Sequence, residues 1–395
     1  MSMFDDFDDD LMDDADGFDA SSTTSPAGGE GLEEPRQMNV CYGHENVEKQ
    51  LCDLINSGHM PHALIFAGPE GIGKATMAFR LAKALLKRGV DDDSSSGGGL
   101  FGEALPPLKT ETLDVDQEDQ VSRMVAAAGH PDLLTVEREF DEKKGRFKGS
   151  LGIEPVRRIA PFMRMTASFG GWRIAIIDDA DTMTNEAQNA ILKILEEPPA
   201  NALMIVVCHR PGMMISTIRS RCRMIHFGEL PLASFSQILK KAERSLGDAD
   251  IQILYAITGG SAGQAVRLLE EGGLEVVYKV SGLLAQWPTW DWYQIHNLAE
   301  NLSKPGQEDS YKSFTEIFLW AVKSLLKARV KQDALPQVLA QAEIVSMANN
   351  YSVESWLEII SQLKEHFQTA EYSNLDKRQA ILGAFNIFEE ARKAA

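Results

Sequence analysis

The chain has 395 residues, 44% of them hydrophobic and 25% charged, with a formal net charge of −19. That length exceeds one ordinary core, and the composition excludes a collagen-like or wholly disordered chain, so two or three soluble domains are expected. The four cysteines form no C-x-x-C pair and no apolar run approaches bilayer length, so a zinc site, a disulfide framework and a membrane partner are not expected.

The acidity is concentrated at the start. Nine Asp and three Glu precede Arg36 with no basic residue among them, and removing them takes the charge from −19 to −7. Residues 1–36 therefore read as a disordered acidic tail, too poor in apolar side chains to offset chain entropy. Phe4, Phe7, Leu11, Met12 and Phe18 leave a short binding motif open against the plainer reading of a solvated tail. The acidic start excludes a basic secretory or transit leader, and with reduced thiols this predicts a cytoplasmic location.

Ala63–Ala67 is a short apolar run that ends at Gly68. Lys74 to Lys87 then shows helical periodicity through Met77, Leu81, Ala84 and Leu85. Between them, Gly68-Pro69-Glu70-Gly71-Ile72-Gly73-Lys74-Ala75-Thr76 fits the phosphate-binding pattern G-x-x-x-x-G-K-[ST] except at its last position. Gly68, Gly71 and Gly73 would let backbone N–H groups wrap a phosphate, and Lys74 would supply the charge. Ala75 stands where a hydroxyl holds Mg²⁺. Thr76 lies one residue on, rotated by about 100° around the helix axis, and does not replace that ligand. Weak or absent hydrolysis is expected, with nucleotide binding undecided. ATP or ADP with Mg²⁺ is the only cofactor class in question.

Val90 to about Gln117 is rich in Asp, Ser, Gly and Pro and reads as a mobile insertion. Asp132–Val136 is a candidate strand. Lys143, Lys144, Arg146 and Lys148 lie in a polar stretch, which suits a solvated loop more than a DNA contact. Ile153–Ser168 reads as a helix. Arg173–Ile177 reads as a strand running into Asp178-Asp179-Ala180-Asp181. Asp178 takes the place of the acidic residue that orients Mg²⁺. Asp179 stands where active enzymes of this layout carry Glu to polarise water, and is shorter by one methylene. Positioning catalysis is sensitive to shifts of about 1 Å, so a second element of the site is off pattern, unless Asp179 serves as a shorter base.

Asn185–Glu197 reads as a helix ended by Pro198 and Pro199. Leu203–Val207 and Met224–Phe227 complete the strands, and strands alternating with helices imply a parallel sheet covered on both faces. Past Gly228 the pattern is helical only: Leu232–Leu246, Ala249–Thr258, Ala262–Glu271, then long amphipathic helices. Gly259-Gly260 and Gly272-Gly273 suit hinges.

The order of these motifs resembles the AAA+ clamp-loader subunits of bacterial replication. The P-loop is followed by Asp178-Asp179-Ala180-Asp181, by Leu195-Glu196-Glu197-Pro198-Pro199 and by Ser220-Arg221-Cys222. His130-Pro131-Asp132-Leu133, Gly170-Gly171-Trp172-Arg173 and Leu375-Asp376-Lys377-Arg378-Gln379-Ala380 are similar to its alphaproteobacterial members. The resemblance implies an AAA+ core at 37–228, a helical lid at 229–273 and a helical collar for oligomerisation at 274–395. It implies that Arg221 reaches a neighbouring subunit's ATP as an arginine finger in trans, against the plainer reading of a surface arginine paired with a carboxylate. His209, after an apolar strand, falls where the family places a polar nucleotide sensor, though a structural role fits as well. Gly263 falls where active loaders carry a lid arginine. The partners implied are ATPase subunits of gamma/tau type and a delta-type subunit in a hetero-oligomeric ring, the sliding clamp and primer-template DNA. The zinc module of many relatives is not expected, because no cysteine lies between Cys52 and Cys208.

The reading favoured is a non-hydrolysing clamp-loader subunit within a DNA polymerase III assembly. The alternatives are an active AAA+ loader ATPase, which Ala75 and Asp179 disfavour, and a P-loop kinase, which would not need the Leu-Glu-Glu-Pro-Pro or Ser-Arg-Cys elements.

Overall fold

Seven strands form: β1 Ala63–Ala67, β2 Leu133–Val136, β3 Phe140–Asp141, β4 Arg146–Phe147, β5 Arg173–Ile177, β6 Ala202–Cys208 and β7 Arg223–His226. The computed structural model describes residues 32–95, 109–141, 146–332, 334–372 and 375–394. Five strands make one parallel sheet in the order β2-β5-β6-β1-β7, with Ala63 opposite Met204 and Arg173 opposite Ala202. β1, β5 and β6 are buried along their whole length, as a sheet covered on both faces requires.

Alternation along each strand divides the core in two. Leu64, Phe66, Ile174, Ile176, Leu203, Ile205 and Val207 face the helices Glu45–Asn56 and Lys74–Ser95. Ile65, Ala175, Ile177, Met204 and Val206 face the other side, against Val156, Ile159, Ala187, Ile194 and Ile218. The α/β class expected from the sequence is the class observed.

Several elements differ in detail. The stretch expected as one helix at 153–168 is two, Ile153–Arg157 and Ile159–Arg164. Pro161 has no N–H to give the carbonyl of Arg157, so the ladder breaks at Arg158. The helix expected at 185–197 divides into Asn185–Ala190 and Leu192–Glu196, with Ile191 kept in the right-handed region (φ −92°, ψ −8°), so the apolar stripe is continuous. The polar stretch near Lys148 is not a plain loop: β3 pairs antiparallel with β4, and Phe140 meets Phe147 edge to face at 5.3 Å. Lys143 and Lys144 lie outside the described residues, as do residues 1–31 of the expected tail and 96–108 of the expected insertion. The end of that insertion is anchored: Leu113 and Val115 are buried, and the Leu113 N–H donates to Glu48 Oε1 at 2.9 Å.

Past β7 the described chain is helical to Ala394. One continuous apolar core runs from Leu230 to Phe388, taking in the stretches expected as lid and collar, and Leu32 packs against it. Gly259 (φ 59°) caps the helix Asp248–Thr258 in the left-handed conformation. Among the described residues, no helix is long and apolar enough to cross a membrane.

Candidate functional site

Parallel sheets bind ligands beyond the carboxyl ends of their strands, where crossovers leave in opposite directions. The P-loop follows β1, Asp178 and Asp179 follow β5, His209 follows β6, and all meet at that edge. Lys74 opens the helix Lys74–Ser95, as in a working P-loop. Its ammonium, however, is already engaged. It donates to Gly68 O at 2.8 Å, to Pro69 O in a very short contact, and to His209 Nδ1 at 2.8 Å. An ammonium has three N–H donors and no acceptor, so all three are spent inside the protein. Lys74 is 3% exposed, and burial lowers its pKa to about 8.

The His209 contacts fix its tautomer. Nδ1 accepts from Lys74, so Nε2 carries the proton and donates to Asp179 Oδ1 at 2.6 Å. Arg138 NH2 meets the other Asp179 oxygen at 2.5 Å. Burial pushes the Asp179 carboxyl up, but the His209 hydrogen bond and the Arg138 charge outweigh it and hold the group below the usual carboxylate range. Asp179 is held in the left-handed region (φ 55°, ψ 37°), uncommon for a residue with a side chain. Lys74, His209, Asp179 and Arg138 thus form one continuous line of polar contacts, with the neutral imidazole between ammonium and carboxylate. A carboxylate ion-paired to Arg138 and hydrogen-bonded by His209 is a poor base for polarising water.

Asp181 braces the chain from below. Its carboxylate accepts from the His209 N–H at 2.9 Å and from Arg210 Nε at 3.3 Å. Asp178 makes no ion pair among the described residues, although the Lys74 charge is near enough to feel it. Burial, with the Asp179 carboxylate beside it, pushes its pKa up to about 6.

The donor set does not fit a Mg-nucleotide. Ala75 offers no ligand, and Thr76 is 5% exposed with Oγ1 turned to Met38 Sδ at 3.7 Å. Lys74 would have to leave three partners to meet a phosphate.

The lid side closes the loop further. Gly263 N donates to Gly71 O at 2.8 Å, and Ser261 Oγ donates to Glu70 O at 2.7 Å while capping the helix Ala262–Glu270 through the Gln264 N–H. Gly71 sits at φ 73°, and a Cβ there would lie 2.5 Å from Ser261 Oγ. A Cβ on Gly263 would lie 2.9 Å from Gly71 Cα. Two backbones touch because neither residue has a side chain.

Arg221 stands apart from this cluster. It follows the short helix Ser216–Arg219 and precedes β7. Its guanidinium donates to Thr217 O and to Glu196 Oε1, both at 3.0 Å, and its side chain is 36% exposed. It is both a surface arginine paired with a carboxylate and a cation presented at the surface.

The structure therefore brings Gly68, Gly71, Gly73, Lys74, Asp178, Asp179, His209 and Gly263 to one place, turns Thr76 away, and leaves Arg221 outside. Sequence reasoning missed Arg138, and it did not foresee the contacts of Ser261 with Glu70 or of Glu196 with Arg221. Arg138 carried a signal: it lies just past β2, at the same carboxyl edge as the other site residues. Ser261 and Glu196 become meaningful only once distant segments meet.

Residues 100–231 match the family model described as DNA polymerase III, delta subunit. Over 232 residues the chain is 31% identical to DNA polymerase III subunit delta' of Pseudomonas aeruginosa, which covers 57% of this chain and 62% of that one. Against DNA polymerase III subunit delta' of Escherichia coli it is 26% identical over 248 residues, 62% of this chain and 66% of that one. These matches span less than two thirds of the length of either relative. Among solved structures, a DNA polymerase III gamma subunit-related protein from Thermotoga maritima is similar over 88% of this chain and 99% of that one, at 17% identity and a TM-score of 0.39. The fold class rests on the sheet order above and not on that likeness.

Proposed function

We propose that this chain, similar to DNA polymerase III subunit delta' proteins over part of its length, is a non-hydrolysing subunit of a replicative clamp loader. In this reading it sits in a hetero-oligomeric ring beside an ATP-hydrolysing subunit of gamma/tau type and a delta-type subunit. The ring opens a sliding clamp and places it on primer-template DNA. The observation that carries the non-hydrolysing part is Lys74, whose three donors are spent on Gly68 O, Pro69 O and His209. Ala75 in the Mg²⁺-ligand position and Asp179 locked between His209 and Arg138 support the same reading.

Arg221 is the residue proposed to act in catalysis. It would enter the neighbour's site and meet charge developing on the transferred phosphoryl group, a role that needs an exposed guanidinium on a firm support. The helix carbonyl of Thr217 and the carboxylate of Glu196 give that support. No membrane, zinc or disulfide enters this reading.

The first test is steady-state Mg-ATP turnover by the purified chain. Background turnover, with or without nucleotide binding, is expected. Robust turnover abolished by Lys74→Ala would replace this reading with the active loader ATPase.

A further inference from the structure

A cavity of about 300 Å³ is lined by none of the residues of the P-loop or its chain of polar contacts. Lys83, on the helix Lys74–Ser95, and Ser122, on the helix Gln120–Ala126, line it together with Asn39, Gln37, Gln117 and Arg123. Lys83 is 2% exposed and Ser122 is 3% exposed.

Both buried groups are short of partners. Lys83 Nζ donates to Asn39 Oδ1 at 2.9 Å and to Met38 O at 3.4 Å, which leaves one of its three N–H groups over. Both acceptors are neutral, and among the described residues no carboxylate pairs with Lys83. The orientation of Asn39 is set from behind, because its Nδ2 donates to Val115 O at 3.0 Å. Among the described residues, Ser122 Oγ is buried with no hydrogen-bond partner. Burial, with the Arg80 charge behind it, lowers the Lys83 pKa from its usual range. The Glu33 charge lies near enough to favour the Lys83 ammonium but makes no ion pair with it, and a buried cation without a direct ion pair and a buried hydroxyl without a partner are each costly.

The geometry points to a binding site for a small phosphate-type oxyanion, held by Lys83 and Ser122 inside and by Arg123 at the mouth. Lysine supplies the point charge, the hydroxyl a directed donor, and arginine the planar fork suited to phosphate. The amides of Gln37 and Gln117 add neutral donors at the rim. Glu33 also lines the cavity, but it is exposed and lies 4.0 Å from Lys241 Nζ, which offsets its charge. The ligand is either free phosphate or the phosphoryl group of a mononucleotide. The site is independent of the clamp-loader reading, because it uses none of the P-loop residues.

The test is calorimetric titration of the full chain at constant ionic strength with inorganic phosphate and, separately, with adenosine 5′-monophosphate. Saturable binding of one equivalent of at least one of them is expected, retained in Lys74→Ala and weakened on the order of tenfold or more in Lys83→Met. Phosphate binding tighter than mononucleotide assigns the site to the free ion, and the reverse assigns it to the nucleotide. Should Lys83→Met not fold, Ser122→Ala and Arg123→Gln keep the question open to decision, each expected to weaken binding several-fold. Absence of saturable binding by either anion, or binding lost in Lys74→Ala but unchanged in the cavity variants, would overturn the site.

Discussion

Two charges beside the P-loop are held against their preferences. Burial next to Asp179 pushes Asp178 up to about 6 from an ordinary 3.8, and burial draws Lys74 down to about 8 from 10.5. Asp178 binds its proton more tightly folded than unfolded. Its contribution to stability is therefore full below about pH 4 and lost as pH rises through about 6. Asp179, Glu137, the His209 ring and the Lys74 ammonium are the titratable neighbours of Asp178. Asp178→Asn keeps the oxygen that accepts from the Asp179 N–H at 2.9 Å and removes the charge. The variant should be more stable than the parent near neutral pH by about 1–3 kcal/mol, with the parent's decline between pH 4 and 6 flattened. Urea unfolding across that range checks it, and equal slopes in the two proteins would refute it. For Lys74 the sign is opposite: the buried ammonium is a penalty that is full below about pH 8 and relieved toward 10.5. A second residue-scale expectation concerns Ala75→Thr. Restoring the hydroxyl alone should leave Mg-ATP turnover at background, because Lys74 and Asp179 stay engaged. Measurable turnover in that variant would mean that the missing ligand was the sole defect. Position 75 was legible in the sequence because the P-loop has fixed spacing, and so was the short Asp179. The engagement of Lys74 was not, because Arg138, Asp179 and His209 arrive from three different strands and no local pattern links them.

At the level of elements, the contact between the helix Ala262–Glu270 and the phosphate loop is the joint that matters. Ser261→Ala removes both the helix cap and the hydrogen bond to Glu70 O, and should cost about 1–2 kcal/mol. Gly263→Ala puts a methyl against Gly71 Cα and should cost about 1–3 kcal/mol by overpacking. Hydrogen exchange of the Gly263 amide, which donates to Gly71 O, offers a direct reading: it should speed up in both variants. Unchanged protection would show that the joint is not cooperative. The strands and most helices could be read from periodicity, and the helix-only second half from the loss of strand signals past Gly228. The breaks at Arg158 and Ile191 and the β3–β4 pairing were missed. Pro161 marked the first of these in plain view, whereas two-residue strands carry no periodicity to read.

For the whole molecule, two apolar cores about one sheet and a third through the helices place Arg221 on the outside. An exposed pair with Glu196 contributes little to folding, so Arg221→Ala should leave the isolated chain within about 0.5 kcal/mol of the parent. In a reconstituted loader the same variant should silence hydrolysis at the interface it serves, since a lost arginine finger costs on the order of 10³-fold or more at its site. Total turnover would fall by that interface's share, and full turnover with a normally assembled ring would remove the finger role. The backbone apposition of Gly71 and Gly263 also bears on which substitutions the loop tolerates. A long side chain at 263 would strike the phosphate loop, and one at 71 would strike Ser261. The two glycines therefore hold each other in place, and a side chain at either one is tolerated only if the facing backbone gives way first.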